Sequence, residues 1–307
     1  MLKSDYVIEI SNLRKSYDES VIKGVDLKIK KGEVYALLGE NGAGKSTLIR
    51  LIMGLQKRDS GELIVLGKDP AKNEKSAHEK IGYLPENFRC YDWMTVAQLI
   101  NFVKPVYKRW DDEYSSDLIR RLRLPVNKTI KSFSRGTNRK VGLFLALAIQ
   151  PQLLLLDEPT SGLDPLTRRE FLEEMIRALS EKKVTIILST HRADDVERFA
   201  DRVGILQEGK IVIDESVSNL LNVAKRVMIR FPGSVPEKFT LTNSMMTSRF
   251  DNKIKTLIYP FDEEKFNKDI SESVFEHAEL SIHYSAVSID DFFVDITKAY
   301  LQGKVIN

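Results

Sequence analysis

The chain reads as an α/β protein built on a parallel sheet, followed by a smaller α+β domain, and three stretches predict this. Leu153 to Leu156 and Val184 to Leu188 are wholly apolar runs of strand length. Such runs suit strands buried on both faces of a parallel sheet, and Leu166 to Leu179 between them has the spacing of a crossover helix. The third stretch is Val34 to Leu38, a strand-length run followed at once by Gly39-Glu40-Asn41-Gly42-Ala43-Gly44-Lys45-Ser46-Thr47. Helix formers from Leu48 to Met53 come next. Strand, glycine loop, Lys-Ser and helix in that order form the setting in which a loop binds phosphate.

Before the glycine loop, Val7 to Ile10 and Val25 to Ile29 read as strands. Glu62 to Leu66 reads as another, entered through the turn Asp59-Ser60-Gly61. From Trp93 to about Ile149 the pattern is mostly helical and punctuated by Pro105 and Pro125. Val96, Ala97, Leu99, Ile100 and Val103 form one apolar stripe there, and Tyr114, Leu118, Ile119 and Leu122 a second. Val203 to Leu206 and Ile211 to Ile213 flank Glu208-Gly209 as a hairpin.

Beyond about Val217 the texture changes. Val227 to Phe231, Thr256 to Tyr259 and Leu280 to Tyr284 read as strands, and Phe261 to Ile270 and Ile289 to Leu301 as helices. The expected division is therefore 1–217, with a helical subdomain at about 88–150, and 218–307. From Leu220 onward 11 Lys/Arg face 12 Asp/Glu, so this part is not basic.

Composition narrows the function classes. At 307 residues, 42% apolar and 30% charged, this is ordinary globular material with room for about two domains. A net charge of +3 is too small to argue for nucleic acid as a partner. The single cysteine, Cys90, excludes an internal disulfide and fits a reducing cytoplasm. Met1 to Tyr6 has no apolar leader pattern. The longest apolar stretch, Val141 to Leu156, is split by Gln150-Pro151-Gln152. No segment reaches the about 18 uninterrupted apolar residues of a membrane span. A membrane role would need another polypeptide for the span.

The glycine loop carries the first chemistry. Glycines let the backbone curl into a nest of N–H groups aimed at phosphate oxygens, and the helix behind adds its positive end. Lys45 can reach the terminal phosphates, and the Ser46 hydroxyl can ligate Mg²⁺. The second chemistry is Leu153-Leu154-Leu155-Leu156-Asp157-Glu158-Pro159, a buried strand delivering two carboxylates to its C-terminal edge. Asp157 is placed to hold Mg²⁺, and Glu158 to polarise the water that attacks a γ-phosphate.

Together with these, Tyr17 and four further segments resemble the ATP-binding subunits of ATP-binding-cassette (ABC) transporters, over roughly Ile8 to Asp214. Tyr17 is where the family stacks an aromatic on adenine. Ile81-Gly82-Tyr83-Leu84-Pro85-Glu86 resembles the Q-loop segment, and Phe133-Ser134-Arg135-Gly136-Thr137-Asn138 the signature loop. Ser161-Gly162-Leu163-Asp164 resembles the D-loop, and His191 after Leu188-Ser189-Thr190 the switch histidine. The resemblance implies a P-loop cassette with a sheet core, an antiparallel β subdomain and a helical subdomain. It implies an ATPase using ATP and Mg²⁺, with Tyr17 and Gly39 to Thr47 on the nucleotide and Ser46, Glu86 and Asp157 on the metal. Lys45, Glu158 and His191 are the implied catalytic group.

Two positions depart from the family pattern. Glu86 stands where a Gln is usual; a carboxylate is still a hard oxygen ligand for Mg²⁺ but adds negative charge. Arg135 replaces a glycine of the signature loop, which demands a backbone compatible with a β-carbon. Both departures occur in subunits paired with two-component (ABC-2-like) export permeases. About ninety residues separate Lys45 from Ser134 without a heptad run, unlike chromosome-organising relatives. Only one cassette is present, unlike translation-factor relatives.

The family arrangement makes one chain half a machine. Ser134, Arg135, Gly136 and Thr137, with Asp164 nearby, would face ATP held by a second subunit, identical or closely related. A separate multi-spanning permease and a place on the cytoplasmic face of the membrane follow from the same resemblance. Phe88 to Trp93 either faces that permease or staples the next helix. The alternative function is an ATP-dependent regulatory or resistance switch that drives no transport.

Overall fold

The structure is a computed structural model and describes residues 5–72, 79–107, 110–237, 239–273 and 280–304. Met1 to Ser4, read above for a leader, lie outside the described residues. Contacts divide the chain into two compact units: Met1–His191 with Phe199–Ile211, and Arg192–Arg198 with Val212–Asn307.

In the first unit, Tyr6–Ser16 (β1), Ser20–Lys30 (β2), Val34–Leu38 (β3) and Ser60–Val65 (β4) precede or flank the glycine loop. Ile81–Leu84 (β5), Leu153–Asp157 (β6), Thr185–Thr190 (β7) and Arg202–Gln207 (β8) follow, and Lys210–Ser216 (β9) begins here. One sheet runs in the order β5-β6-β7-β3-β8-β9, with β5, β6, β7, β3 and β8 parallel. Every residue of β3, β6 and β7 is buried. At about 2 kcal/mol per buried leucine, that burial is what makes the apolar runs strands rather than surface segments. Glu208 (φ 43°) and Gly209 (φ 80°) join β8 to β9, the two positive φ values of a type I′ hairpin turn.

Sheet order and register place the chemistry. Asp157 pairs in register with Ser189, and Leu38 with Thr190. The C-terminal ends of β6, β7 and β3 are therefore adjacent and level. Glu158, His191 and the glycine loop leave the sheet at one edge, the ligand edge of an open α/β sheet.

A second, antiparallel sheet runs β2-β1-β4. Its first two strands are longer than the apolar runs predict. Irregular register between Ile10 and Leu13, with Asn12 at φ 45°, lets β1 continue while its polar residues face solvent.

The helical part comprises Val96–Val103, Asp112–Leu122 and Arg135–Ala148. Thr95 and Gln98 close a capping box on the first, and Asp111 caps the second by accepting from the Tyr114 amide. Leu99, Leu118, Leu122, Val141 and Phe144 pack with Leu154 and Leu156 of β6 in one core. The third helix starts at Arg135, directly after its cap Ser134.

The second unit holds Lys225–Arg230 (β10), Ser244–Phe250 (β11), Lys253–Ile258 (β12) and Ser281–Ser285 (β13), an antiparallel sheet ordered β11-β12-β10-β13. β11 escaped the sequence because it is a largely polar edge strand. Arg226 ties the last helix, Ile289–Leu301, to this sheet through Asp291 (3.1 Å) and Asp295 (2.6 Å). Glu197 accepts a hydrogen bond from the Ile289 amide at 3.2 Å, which is why Arg192–Arg198 groups with this unit.

Candidate active site

The glycine loop is shaped by what its glycines exclude. A β-carbon on Gly39 would lie 2.5 Å from the Leu206 carbonyl oxygen, so only glycine fits there. Gly42 (φ 85°) and Gly44 (φ 108°) take the left-handed turns that curl the backbone. Helix Lys45–Met53 then begins directly at the loop, with its free N-terminal N–H groups facing the nest.

Lys45 is 5% exposed and donates to the carbonyls of Gly39 (2.8 Å) and Glu40 (3.1 Å). Its ammonium also lies 3.2 Å from Glu158 Oε1, an ion pair without hydrogen-bond geometry. His191 Nδ1 sits 2.8 Å from the other oxygen, Glu158 Oε2. The Ser46 hydroxyl donates to Asp157 Oδ1 at 3.0 Å, and Ser189 donates to the same oxygen at 2.7 Å. Asp157 is fully buried, and its Oδ2 has no partner.

A buried, unpartnered carboxylate oxygen beside a serine hydroxyl is a hard-oxygen donor set that fits Mg²⁺. Among the described residues no group of three or more His, Cys, Asp or Glu side chains could hold a metal by itself. The remaining ligands would have to come from water and the phosphates, as is usual for Mg²⁺.

The other expected site residues lie apart from this cluster. Tyr17 is half exposed, with its hydroxyl hydrogen-bonded to Gln56 and the Lys15 ammonium 5.4 Å from its ring centre. Glu86 is exposed, and no described contact joins it to Ser46 or Asp157. Ser134 caps its helix by accepting from the Thr137 amide at 3.1 Å, and the two hydroxyls are 3.0 Å apart. No described contact joins Ser134 to Thr137 with the glycine loop of the same chain. Arg135 is the first helical residue, without a positive φ, so its β-carbon needs no special backbone. Its guanidinium instead covers Gly162, where a β-carbon would lie 2.4 Å from Arg135 Nη1. Asp164 caps the helix Pro165–Lys182, and the Thr167 amide holds its carboxyl below the usual range.

Sequence reasoning missed two residues at the cluster. Ser189 clamps both Asp157 and the Glu158 amide, which it meets at 3.0 Å. Arg139, 4% exposed, reaches the Glu158 carbonyl from the signature helix. A basic residue on the inner face of an apolar helix was the signal for the second.

The family model for ABC transporter matches residues 22–161. The ABC transporter ATP-binding protein YtrB of Bacillus subtilis (strain 168) is 32% identical over 289 residues, covering 93% of this chain and 98% of its own. This chain belongs to the ABC transporter ATP-binding subunits. The linearmycin resistance ATP-binding protein LnrL of the same organism is 34% identical over 67% of this subunit and 68% of itself. The lantibiotic transport ATP-binding protein SrtF of Streptococcus pyogenes is 34% identical over 71% of the subunit and 94% of itself. A solved ATP-binding subunit of an ABC transporter overlays with a TM-score of 0.63 at 31% identity, covering 68% of the subunit and 90% of that chain. The dimeric cassette MJ0796 bound to ADP and Pi shares the fold, with a TM-score of 0.61 at 24% identity over 68% of the subunit and 98% of that chain. Likeness to YtrB covers 93% of the subunit, against 67% for LnrL and 71% for SrtF.

Proposed function

We propose that this ATP-binding subunit hydrolyses ATP to ADP and phosphate, and that two such subunits closing on two nucleotides energise a separate multi-spanning export permease. The observation that carries the reading is the convergence at one sheet edge of buried Lys45, Asp157 and Glu158 with half-buried Ser46 and exposed His191. Lys45 and the nest of N–H groups hold the β- and γ-phosphates and offset the charge that develops on transfer. Glu158 accepts a proton from the attacking water as its oxygen bonds to the γ-phosphorus and the bond to ADP breaks. His191, hydrogen-bonded to Glu158, keeps that carboxylate and the water in register. Ser46 and Asp157 would hold Mg²⁺, which when bound would neutralise negative charge on the triphosphate. Tyr17, half exposed, would stack on the adenine.

Ser134, Arg135, Gly136 and Thr137 stand at the exposed start of a helix, clear of their own glycine loop, as a group meant for a second subunit's nucleotide does. Glu86 and Arg135, with the resistance and lantibiotic-transport names of LnrL and SrtF, favour an export permease of the two-component type. Tyr91 (51% exposed) packs against Trp93 (68%) and edge-on against Phe102, and we assign this face to a cytoplasmic segment of the permease. No helix among the described residues is long and apolar enough to cross a membrane, and pairing with the permease would hold the subunit on the cytoplasmic face.

Dilution tests the shared site. ATPase activity per chain is expected to fall as the protein is diluted into the monomer range, checked by sedimentation. Constant specific activity in a monomeric sample overturns the two-subunit reading. Recovery from membranes with a multi-spanning partner supports transport, and a chain that always stays soluble alone argues for a switch.

A further inference from the structure

We infer that Arg139 is a positioning residue for Glu158, fixing the backbone of the general base from the helix that carries the signature loop. The inference rests on the reading of Glu158 as that base.

Arg139 is the fifth residue of helix Arg135–Ala148. Its Nη1–H donates to the Pro85 carbonyl at 2.6 Å, and its Nη2–H to the Glu158 carbonyl at 3.0 Å. Both arms of a buried guanidinium therefore end on main-chain oxygens of the two segments that carry Glu86 and Glu158. A guanidinium is a costly way to fill space, since an apolar side chain of similar volume is often as stable or more so. Burial lowers its pKa, and the nearby Arg135 does so further; Glu86, Asp157 and Glu158 oppose that shift. What the planar fork gives in return is two hydrogen bonds in a fixed relative geometry.

Glu158 needs such fixing. Its φ is 45°, in the left-handed region that is unfavourable for a residue with a β-carbon. Its amide is held by Ser189 through the carbonyl at 3.2 Å and the hydroxyl at 3.0 Å. Its carbonyl accepts from the Ser161 amide at 3.2 Å and from Arg139. With both sides of the residue bound, the Cα–Cβ direction is set, and the carboxylate reaches Lys45 and His191. Arg139 lies about 7.5 Å along the helix from Ser134, at about 1.5 Å per residue. A shift of the signature helix when it meets nucleotide therefore moves a hydrogen bond to the base itself.

The test is a double-mutant cycle in the full chain, with Arg139→Met, Arg139→Lys and Glu158→Gln measured for kcat, KM and nucleotide affinity. Arg139→Met is expected to lower kcat about tenfold while KM and the Kd for ATP change less than about twofold. Arg139→Lys, which can reach one carbonyl, should recover part of that loss. In the Glu158→Gln background Arg139→Met should cost less than about twofold more, because it acts through the same group. Additive losses, or a normal kcat in a folded Arg139→Met protein, overturn the inference. If Arg139→Met does not fold, the same cycle run with Arg139→Lys decides by the same additivity criterion. Normal turnover in Glu158→Gln would instead overturn the general-base reading.

Discussion

Lys45 Nζ lies 3.2 Å from Glu158 Oε1, with both side chains less than 10% exposed, so the proposed phosphate-binding cation is paired with the proposed base. A triphosphate must displace that carboxylate from the lysine and tolerate its negative charge. Glu158→Gln removes both obstacles along with the proton acceptor. ATP is expected to bind about fivefold more tightly, the equivalent of about 1 kcal/mol, while hydrolysis slows at least about tenfold. Equilibrium nucleotide binding and phosphate release measure the two halves. Unchanged or weaker binding would show that the ion pair does not compete with nucleotide.

Asp157→Asn separates metal from nucleotide. The amide oxygen can still accept from Ser46 and Ser189, but the amide nitrogen takes the place of Oδ2, which has no partner. A buried N–H₂ without an acceptor costs about 1 to 3 kcal/mol, so the melting temperature should fall by a few degrees. The Mg²⁺ concentration for half-maximal ATPase activity is expected to rise about tenfold. ATP binding measured in EDTA should change less than about twofold. An unaltered Mg²⁺ requirement would remove Asp157 from the metal site.

What the sequence made legible was whatever a short run encodes by itself. The glycine spacing at Gly39 to Lys45, the apolar run into Asp157-Glu158 and the histidine after β7 each lie within a few residues. Their convergence is dictated by parallel register, which aligns Asp157 with Ser189 and Leu38 with Thr190. Arg139 and Ser189 were not legible as site residues. They act on carbonyls and carboxylates 19 and 32 positions away, respectively, and such pairing leaves no local pattern. β11 was missed because an edge strand needs no apolar face. Arg135 looked like a backbone problem in the sequence; as the first residue of a helix it is an ordinary one.

Two glycines of one loop should fail differently. At Gly39 an added β-carbon meets the Leu206 backbone oxygen at 2.5 Å, and backbone cannot rotate away. Gly39→Ala is expected to cost about 2 kcal/mol, lowering the melting temperature by about 4 to 8 °C. At Gly42 the same carbon meets open space, and only the φ of 85° is unfavourable, worth about 1 kcal/mol. Thermal unfolding of the two variants side by side decides. Equal shifts would mean that the close approach to β8 is relieved elsewhere.

Cys90 gives a pH-dependent readout of the segment just beyond Glu86. Burial pushes its thiol up to about 11, and the negative charge of Asp92 adds to the shift. An exposed cysteine titrates near 8.5, and only the thiolate is alkylated readily. At pH 8 the native chain is therefore expected to react with iodoacetamide at least about tenfold more slowly than the urea-unfolded chain, followed by intact mass. The thiol is protonated in both states below about pH 8, so its contribution to stability is complete there. As pH rises toward about 11 the unfolded thiol loses its proton first, and that contribution fades. Cys90→Ser should flatten this part of the stability curve between about pH 9 and 11, leaving the curve below pH 8 parallel to that of the parent chain. Equal alkylation rates in the native and unfolded chains would place Cys90 in solvent and break the argument.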